Sequence, residues 1–272
     1  MIGQAKRLAE LVKNGTHSYN SNNKILAVAS GKGGTGKSFF IINFAYQLSK
    51  MGKRVLLIDM DPNLGNIDIM LNVTSEKTVS AFLQNRVLIN ELPTKVKPNL
   101  DVIFGDSGKL NIPEKRREMI DYFFMSLQKL ANNYDKILID TGAGVQSDGL
   151  YLLSKTDFIT LIINPDPTSV MDGYAFTKLF FNKYGRKEIG VVVNKCDNND
   201  EGEISFKNIN TATTHFLKTK LNYLGTINYS NEVYKSIKEQ VVFSEEYAEN
   251  KIVNQIKEII HNSWLTKSIN VK

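Results

Sequence analysis

The stretch Gly31-Lys32-Gly33-Gly34-Thr35-Gly36-Lys37-Ser38 decides the fold of this chain. It fits the phosphate-loop pattern G-x-x-x-x-G-K-[ST] in full. The apolar run 24–30 before it predicts a buried strand, and the apolar spacing within 38–50 after it predicts a helix. Glycines let backbone N–H groups turn inward around phosphate oxygens, and a helix N-terminus adds its own unpaired donors. The stretch therefore predicts a nucleotide phosphate site between a strand and a helix.

Two lysines and a serine give this loop its chemistry. Lys37 is placed to reach the β- and γ-phosphates, and the Ser38 hydroxyl is placed to ligate Mg²⁺. Lys32 is a second lysine directly after the first glycine, so that the loop reads K-G-G-T-G-K-S. This form resembles the deviant phosphate loop of the MinD/ParA family of ATPases. The resemblance implies an ATP-bound homodimer in which Lys32 of each subunit acts on the nucleotide of its neighbour.

Two aspartates follow the second predicted strand. The apolar run 53–58 leads into Asp59, and Asp61 comes two residues later. Carboxylates at the C-terminal end of a parallel strand lie beside the crevice where doubly wound sheets bind ligands. We interpret Asp61 as the group that positions the attacking water and Asp59 as part of the Mg²⁺ shell. The D-x-D spacing resembles the switch I segment of MinD/ParA proteins, which supports this division of roles.

A third acid ends a later strand. The run 134–140 is apolar and closes on Asp140, which is the expected form of a Walker B element. Asp140 is predicted to hold Mg²⁺ through a water molecule, because Mg²⁺ gives up its hydration reluctantly. The loop 141–145 that follows is expected to sense the γ-phosphate, a switch II role that the family resemblance implies.

Two further segments narrow the resemblance. Residues 140–144 read D-T-G-A-G, and residues 164–175 read N-P-D-P-T-S-V-M-D-G-Y-A. The second segment follows a predicted strand and resembles the P-E-P-T-S-x-x-D-A-Y-A pattern of the flagellar-number regulators of the MinD group, the FlhG (FleN, YlxH) proteins. The resemblance implies a role in flagellar number or placement. It also implies two kinds of partner, a flagellar GTPase of the FlhF type and basal-body or regulatory proteins.

An asparagine–lysine pair follows the predicted strand 188–193. Asn194 carries the donor and the acceptor that an adenine edge needs, and together with Lys195 it resembles the base-reading element of related nucleotide-binding folds. The full N-K-x-D form, which ends at Asp197, is also typical of guanine-reading proteins. The deviant loop favours adenine. Cys196, between these residues, is expected to be a bystander, because no activating partner is visible beside it.

In relatives, the loop after the last strand packs against the base, which places residues of 229–232 near it here. Nucleotide contacts are therefore assigned to the phosphate loop, the asparagine–lysine pair and this last loop. The assigned residues are Gly31, Lys32, Gly33, Gly34, Thr35, Gly36, Lys37, Ser38, Phe39, Asn194, Lys195, Tyr229, Ser230 and Glu232.

The alternation of strands and helices predicts one doubly wound, mostly parallel α/β domain of about seven strands. We assign it to residues 24–265, preceded by an N-terminal amphipathic helix and polar linker (1–23) and followed by a tail (266–272). The helix either docks on a partner or packs on its own domain. Its sequence GQAKRLA at 3–9 departs from the D-Q-A-x-x-L-R activator motif of the family, so we expect weak stimulation of the partner GTPase.

The apolar stripe within 244–265 also leaves two uses open. Its polar face mixes lysines with glutamates instead of being basic, so we favour a helix that closes the core over one that binds a membrane. The tail residues 264–269 could still make a weak contact with an anionic membrane surface.

Composition limits the function classes further. The chain has 272 residues, 42% of them hydrophobic, one cysteine, three histidines and a formal charge of +6. One cysteine excludes an internal disulfide or a cysteine-bound iron–sulfur cluster, and the scattered histidines suggest no metal besides Mg²⁺. No secretory signal opens the chain, and a reducing cytoplasm is the expected location, with the inner face of the cell membrane as an alternative.

Three rival functions remain open at this point. A DNA-partition ATPase of the ParA type would need a basic stripe, and the scattered lysines and arginines make DNA an improbable partner. A division-site MinD and a nucleotide-dependent scaffold with negligible turnover are the other two. The favoured function is a slow, partner-dependent ATPase that switches with its dimeric state.

Overall fold

One twisted sheet organises the chain in a computed structural model, which describes residues 25–61, 65–105 and 116–263. Its eight strands lie in the order β3-β4-β2-β5-β1-β6-β7-β8. The predicted N-terminal helix and linker (1–23) and the tail (266–272) lie outside the described residues. The strands are β1 (Ile25–Ala29), β2 (Val55–Met60), β3 (Thr94–Lys97), β4 (Leu100–Ile103), β5 (Lys136–Thr141), β6 (Phe158–Ile163), β7 (Ile189–Cys196) and β8 (Asn222–Asn228).

Seven of these strands pair in parallel, and the eighth is an antiparallel edge. The predicted doubly wound sheet is thereby confirmed. The edge strand β3 was not predicted, because its sequence T-K-V-K has one apolar residue and no buried one. Charged edge strands of this kind limit further pairing, and they carry little periodic signal.

Ten α-helices connect or flank the strands of the described residues. They are α1 (Lys37–Lys50), α2 (Ile67–Leu71), α3 (Val79–Leu83), α4 (Arg116–Ala131), α5 (Ser147–Ser154), α6 (Pro167–Tyr184), α7 (Asn199–Leu217), α8 (Asn231–Lys238), α9 (Phe243–Glu246) and α10 (Lys251–Asn262). A short 3₁₀ helix spans Ile89–Glu91.

The helices cover both faces of the sheet, and alternate strand residues supply the two cores. In β1, Ile25, Ala27 and Ala29 enter one core, whereas Leu26 and Val28 enter the other. Strands buried on both faces read as continuous apolar runs, which is why the parallel strands could be predicted. The α1 helix is buried nearly all round, because its sequence after Ser38, F-F-I-I-N-F-A-Y-Q-L, is apolar on almost every side.

The C-terminal helix α10 closes one of these cores. Its five apolar residues are at most 1% exposed, and it packs against α1 and β8. Burying each isoleucine of this stripe contributes about 1.5–3 kcal/mol, so the stripe is unavailable to a membrane in this state. The preferred prediction for this helix is confirmed over Ile252, Val253, Ile256, Ile259 and Ile260, and the tail from Trp264 onward lies outside the described residues.

Candidate nucleotide-binding site

The phosphate loop lies at the carboxyl end of β1, where the order of strands reverses. The chain passes from β1 to β2 on one side, with β5 between them, and from β5 to β6 on the other side of β1. Such a reversal opens a crevice beside the central strand, and ligands of open α/β sheets bind there. A cavity of about 830 Å³ lies at this edge.

Two glycines of the loop are required by geometry. Gly36 has φ +94°, and a Cβ atom on it would lie 2.3 Å from Nδ2 of Asn194. A Cβ on Gly31 would lie 2.4 Å from the carbonyl oxygen of Asp172 in α6. A side chain at Gly36 would need a left-handed backbone and would displace the Asn194 amide, and a side chain at Gly31 would clash with the backbone of α6.

Beyond the loop, α1 begins at Lys37 with no side-chain cap. Its first N–H groups therefore remain for a ligand, and the positive end of the helix dipole points the same way. Lys37 is 8% exposed and still lines the cavity. This end of the cavity suits an anionic group such as a phosphate.

Two buried carboxylates stand behind the loop. Asp59 and Asp140 are register partners at the ends of β2 and β5. Burial, and then the neighbouring Asp140, raises the pKa of Asp59 to about 7. Burial also raises the pKa of Asp140 to about 6, against the hydrogen bond from Ser38 and the charge of Lys37. Two like charges held this close in a dry site favour a cation between them.

The residues present fit a magnesium ion. Oδ1 of Asp140 is buried and has no hydrogen-bond partner, and the Ser38 hydroxyl already donates to this carboxylate. Hydroxyl and carboxylate oxygens are the ligands that Mg²⁺ prefers, usually one or two from the protein. Among the described ranges, no group of three His, Cys, Asp or Glu side chains is arranged to hold a metal alone.

Asp61 lies at the wall of the cavity, and its role in positioning the attacking water stays a prediction. Its backbone N–H donates to Oδ1 of Asp59 at 3.1 Å, and Ile67 N–H donates to Oδ2 of Asp59 at 3.4 Å. Asp59 therefore anchors both ends of the segment that contains Asp61. Residues 62–64 within this segment lie outside the described residues.

Lys32 does not line the cavity in this single chain. Its Nζ lies 2.9 Å from Oδ1 and 3.2 Å from Oδ2 of Asp166, and 3.0 Å from Oγ1 of Thr168. These partners belong to the segment that resembles the flagellar regulators. The hydrogen bond from the Thr168 hydroxyl, followed by those from Lys32 and the Ser169 N–H, lowers the pKa of Asp166 to about 2. The lysine of the deviant loop is thus held by its own subunit.

Asn194 and Lys195 lie over the loop. The Asn194 amide is 4% exposed and donates to the carbonyl oxygen of Thr35 at 2.7 Å. Lys195 has φ +64°, and its Nζ donates to the carbonyl oxygen of Gly34 at 2.8 Å. Both residues also line the cavity. Cys196, directly after them, is buried, which raises the pKa of its thiol to about 12, as suits a bystander.

The opposite end of the cavity is apolar and open. Tyr229 and Ser230 line it, together with residues of α8, and their contact with the base stays a prediction. Glu232 does not line it; its carboxylate accepts from the Ser230 hydroxyl at 2.9 Å and from the Asn250 amide at 2.6 Å. Its bonds therefore support the loop that carries Ser230, and its assignment as a nucleotide contact stays a prediction.

Most of the assigned residues thus meet at one cavity. Those that line it are Gly33, Gly34, Gly36, Lys37, Ser38, Phe39, Asp61, Asn194, Lys195, Tyr229 and Ser230. Those that lie outside its lining are Gly31, Lys32, Thr35, Asp59, Asp140 and Glu232.

Several lining residues were not assigned from the sequence. They come from α2, the switch II loop, the end of β8 and α8, and they are Asn66, Met70, Ala143, Ile227, Asn228, Asn231, Val233, Tyr234 and Ile237. The last three, Val233, Tyr234 and Ile237, stand at i, i+1 and i+4, which is a signal that one face of α8 is apolar. The spacing alone does not say what that face contacts.

No helix within the described ranges is long and apolar enough to cross a membrane.

Comparison with known proteins agrees with this geometry. The family model for the CobQ/CobB/MinD/ParA nucleotide binding domain matches residues 26–243. The flagellum site-determining protein YlxH of Helicobacter pylori is 30% identical over 89% of this chain and 83% of its own length. The antiactivator FleN of Pseudomonas aeruginosa is 26% identical over 89% of this chain and 87% of its own length.

Solved structures share the fold. The cell division ATPase MinD of Pyrococcus furiosus superposes with a TM-score of 0.74 at 21% identity, covering 88% of this chain and 98% of that one. MinD of Pyrococcus horikoshii, solved with Mg-ADP, gives a TM-score of 0.73 at 20% identity, covering 91% and 99%. These structures show the fold. The family model and the sequence relatives show that the chain belongs to the CobQ/CobB/MinD/ParA nucleotide-binding family, and they confirm its resemblance to the flagellar regulators of the MinD group.

Proposed function

We propose that this protein is an ATP-hydrolysing switch that dimerises on ATP and regulates flagellar number or placement. The proposal depends above all on the phosphate loop at the strand reversal. Lys37 and Ser38 line one end of the cavity, with Asp140 hydrogen-bonded to Ser38 behind them, and an apolar wall lies at the other end. That arrangement suits a nucleoside triphosphate, since the phosphates need donors and the base needs an apolar surface.

The loop, α1 and Lys37 bind and orient the phosphates. Ser38 and Asp140, with Asp59 behind them, would hold Mg²⁺, which when bound neutralises charge on the phosphate oxygens. Asp61 orients the attacking water from the wall of the cavity. Asn194, Tyr229 and Ser230 are assigned to the adenosine side.

Lys32 completes the site from a neighbouring subunit. In the single chain its ammonium is bound to Asp166 and Thr168, so it must leave them to act on a second nucleotide. A cation delivered in this way can raise the rate of phosphoryl transfer by about 10³–10⁵. Hydrolysis is therefore expected to be slow in the monomer and faster in the dimer.

The flagellar output is inferred from relatives. Two of the curated relatives that span most of this chain are named for flagellum site determination and antiactivation. We infer that the ATP-bound dimer recruits an FlhF-type GTPase and basal-body or regulatory proteins, and that hydrolysis releases them. A weak contact with anionic lipid through the tail is part of the proposal, and DNA binding is not.

The Lys32→Ala variant tests the switch. We expect it to lose ATP-dependent dimerisation and at least about 100-fold of the hydrolysis rate. It should bind ADP as the native chain does, because Lys32 lies outside the cavity of its own subunit. Dimerisation is measured by light scattering with ATP and Mg²⁺, hydrolysis by phosphate release, and ADP binding by calorimetry.

A closely matched control is Lys97→Ala. Lys97 pairs with Glu245, and the exposed side-chain fractions of that pair are 31% and 43%, against 32% and 43% for Lys32 and Asp166. This variant should dimerise and hydrolyse ATP normally. Native turnover in Lys32→Ala, or a preference of the native protein for GTP, would refute the proposed switch.

A further inference from the structure

Three side chains at the ends of two neighbouring strands donate hydrogen bonds to backbone carbonyl oxygens of the phosphate loop. Nδ2 of Asn194 donates to Thr35 O at 2.7 Å, and Nζ of Lys195 donates to Gly34 O at 2.8 Å. The Asn164 amide, in the orientation that satisfies its surroundings, donates to Thr35 O at 3.2 Å and to Asn194 O at 3.3 Å. Asn164 follows β6, and the other two residues end β7.

These bonds matter because of how a phosphate loop works. Its N–H groups must point at the ligand, so its carbonyl oxygens point the other way, into the protein. Thr35 is buried, so its carbonyl would be a desolvated and unpaired acceptor without a donor, which would favour a rotated peptide. Gly34 is exposed, and its carbonyl accepts from Lys195 at the surface. The hydrogen bonds that Lys195 and Asn194 donate to the carbonyls of Gly34 and Thr35 therefore hold these peptides in the orientation that presents their N–H groups to phosphate.

The backbone around these donors is adapted to the contact. Lys195 adopts a left-handed conformation, φ +64°, which is uncommon for a residue other than glycine or asparagine. Such strain persists where the surroundings over-determine it, and it clusters at functional positions. Here the left-handed conformation of Lys195 accompanies the contact of its own side chain with the carbonyl of Gly34. Gly36, with φ +94°, leaves the space that the Asn194 amide occupies.

We propose that Asn194, Lys195 and Asn164 are positioning residues that hold the phosphate loop ready for the polyphosphate, so that this asparagine–lysine pair is not only a base-reading element. The inference rests on the proposed use of the loop for nucleotide phosphates. It predicts that loss of the Asn194 amide reduces the affinity that the β-phosphate adds, which a residue that only reads the base would leave unchanged.

The test compares ADP with AMP and, for base selectivity, ADP with GDP. Asn194→Ala should lower the ratio of ADP to AMP affinity about five- to tenfold, and the surface variant Lys195→Met should lower it about two- to fivefold. Hydrogen exchange without nucleotide should be faster at the amides of 34–37 in both variants, because the loop is no longer held.

Asn43→Ala is the matched control. Asn43 is also buried, donates to Phe39 O at 2.8 Å and accepts from Ser244 N at 2.7 Å, but it does not touch the loop. It should lower the unfolding temperature as much as Asn194→Ala does and leave the ADP-to-AMP ratio and the exchange at 34–37 unchanged. This separates loss of loop positioning from general destabilisation.

Two results would overturn the inference. One is an unchanged ADP-to-AMP ratio in Asn194→Ala with a loss of ADP-over-GDP selectivity, which assigns the residue to the base alone. The other is native exchange at 34–37 in both variants. A native protein that binds neither ADP nor ATP would instead refute the proposed function, and the exchange measurement would still decide whether the loop is held.

Discussion

The two ends of the cavity are built differently. At the phosphate end, Asp59 and Asp140 are each 2% exposed, and the loop is hydrogen-bonded by three side chains at the ends of β6 and β7. At the base end, Tyr229 is 59% and Tyr234 is 70% exposed. The proposed phosphate end is therefore organised by the fold itself, whereas the tyrosine rings of the proposed base end are exposed in the single chain. Changes at the first end should be costly and specific, and changes at the second end mild.

The largest effect is expected from Gly36→Ala at the phosphate end. The left-handed backbone and the 2.3 Å approach of the Asn194 amide both exclude a methyl group there. The loop must shift. We expect ADP affinity, measured by calorimetry, to fall at least about 100-fold, because backbone strain and misplaced N–H groups both weaken phosphate binding.

Gly149→Ala is the control for this change. Gly149 lies in α5 with nothing within 4 Å of a built Cβ. Alanine is the better helix former by about 0.8–1 kcal/mol, so this variant should be as stable as the native chain or more so, with normal ADP affinity. Near-native binding by Gly36→Ala would contradict the view that the loop is rigidly held.

An intermediate effect is expected from Asp59→Asn, measured as stability against pH without Mg²⁺ or nucleotide. The folded pKa of Asp59, about 7, lies above its usual 3.8. Between these values the folded state holds a proton that the unfolded state has lost, so stability falls as pH rises through this window. Asp59→Asn should be more stable than the native chain at pH 8 by at least about 1 kcal/mol, or about 2–4 °C.

Between pH 5 and 8, the stability of Asp59→Asn should fall less steeply with pH than that of the native chain. The remaining fall is due to Asp140, whose pKa is also raised. Asp135→Asn is the control. The Arg54 guanidinium lowers the pKa of Asp135, so the pH range over which this carboxyl changes the stability lies below pH 5. Its slope should match that of the native chain. A slope between pH 5 and 8 in Asp59→Asn as steep as that of the native chain would contradict the raised pKa of Asp59.

The smallest effect is expected from Tyr234→Ala at the base end. If the Tyr234 ring packs on the base, its removal takes away one aromatic contact, so affinity should fall about two- to tenfold, by the same factor for ADP and AMP. Phe216→Ala is the control, since Phe216 is 68% exposed and does not line the cavity. A much larger loss, or one that depends on the β-phosphate, would show that α8 also shapes the phosphate end.

The phosphate end was the easier part to predict. Gly36, Lys37 and Ser38 are adjacent in sequence, and their roles follow from local backbone geometry. Asp140 was found because a buried parallel strand reads as an apolar run with a visible end. At the base end, Tyr234 and Ile237 were missed, because an amphipathic helix face of eight residues carries no sign of what covers it.

The sequence by itself determined the phosphate loop, the buried strands that lead into Asp59 and Asp140, and thereby the family, because these signals are local. Only the tertiary structure decided that Lys32 binds Asp166, 134 residues away, and that the Asn194 amide bonds to Thr35, 159 residues away. Such contacts depend on which strand ends lie side by side, and strand order follows from packing of the whole sheet and leaves no mark in the local pattern of residues.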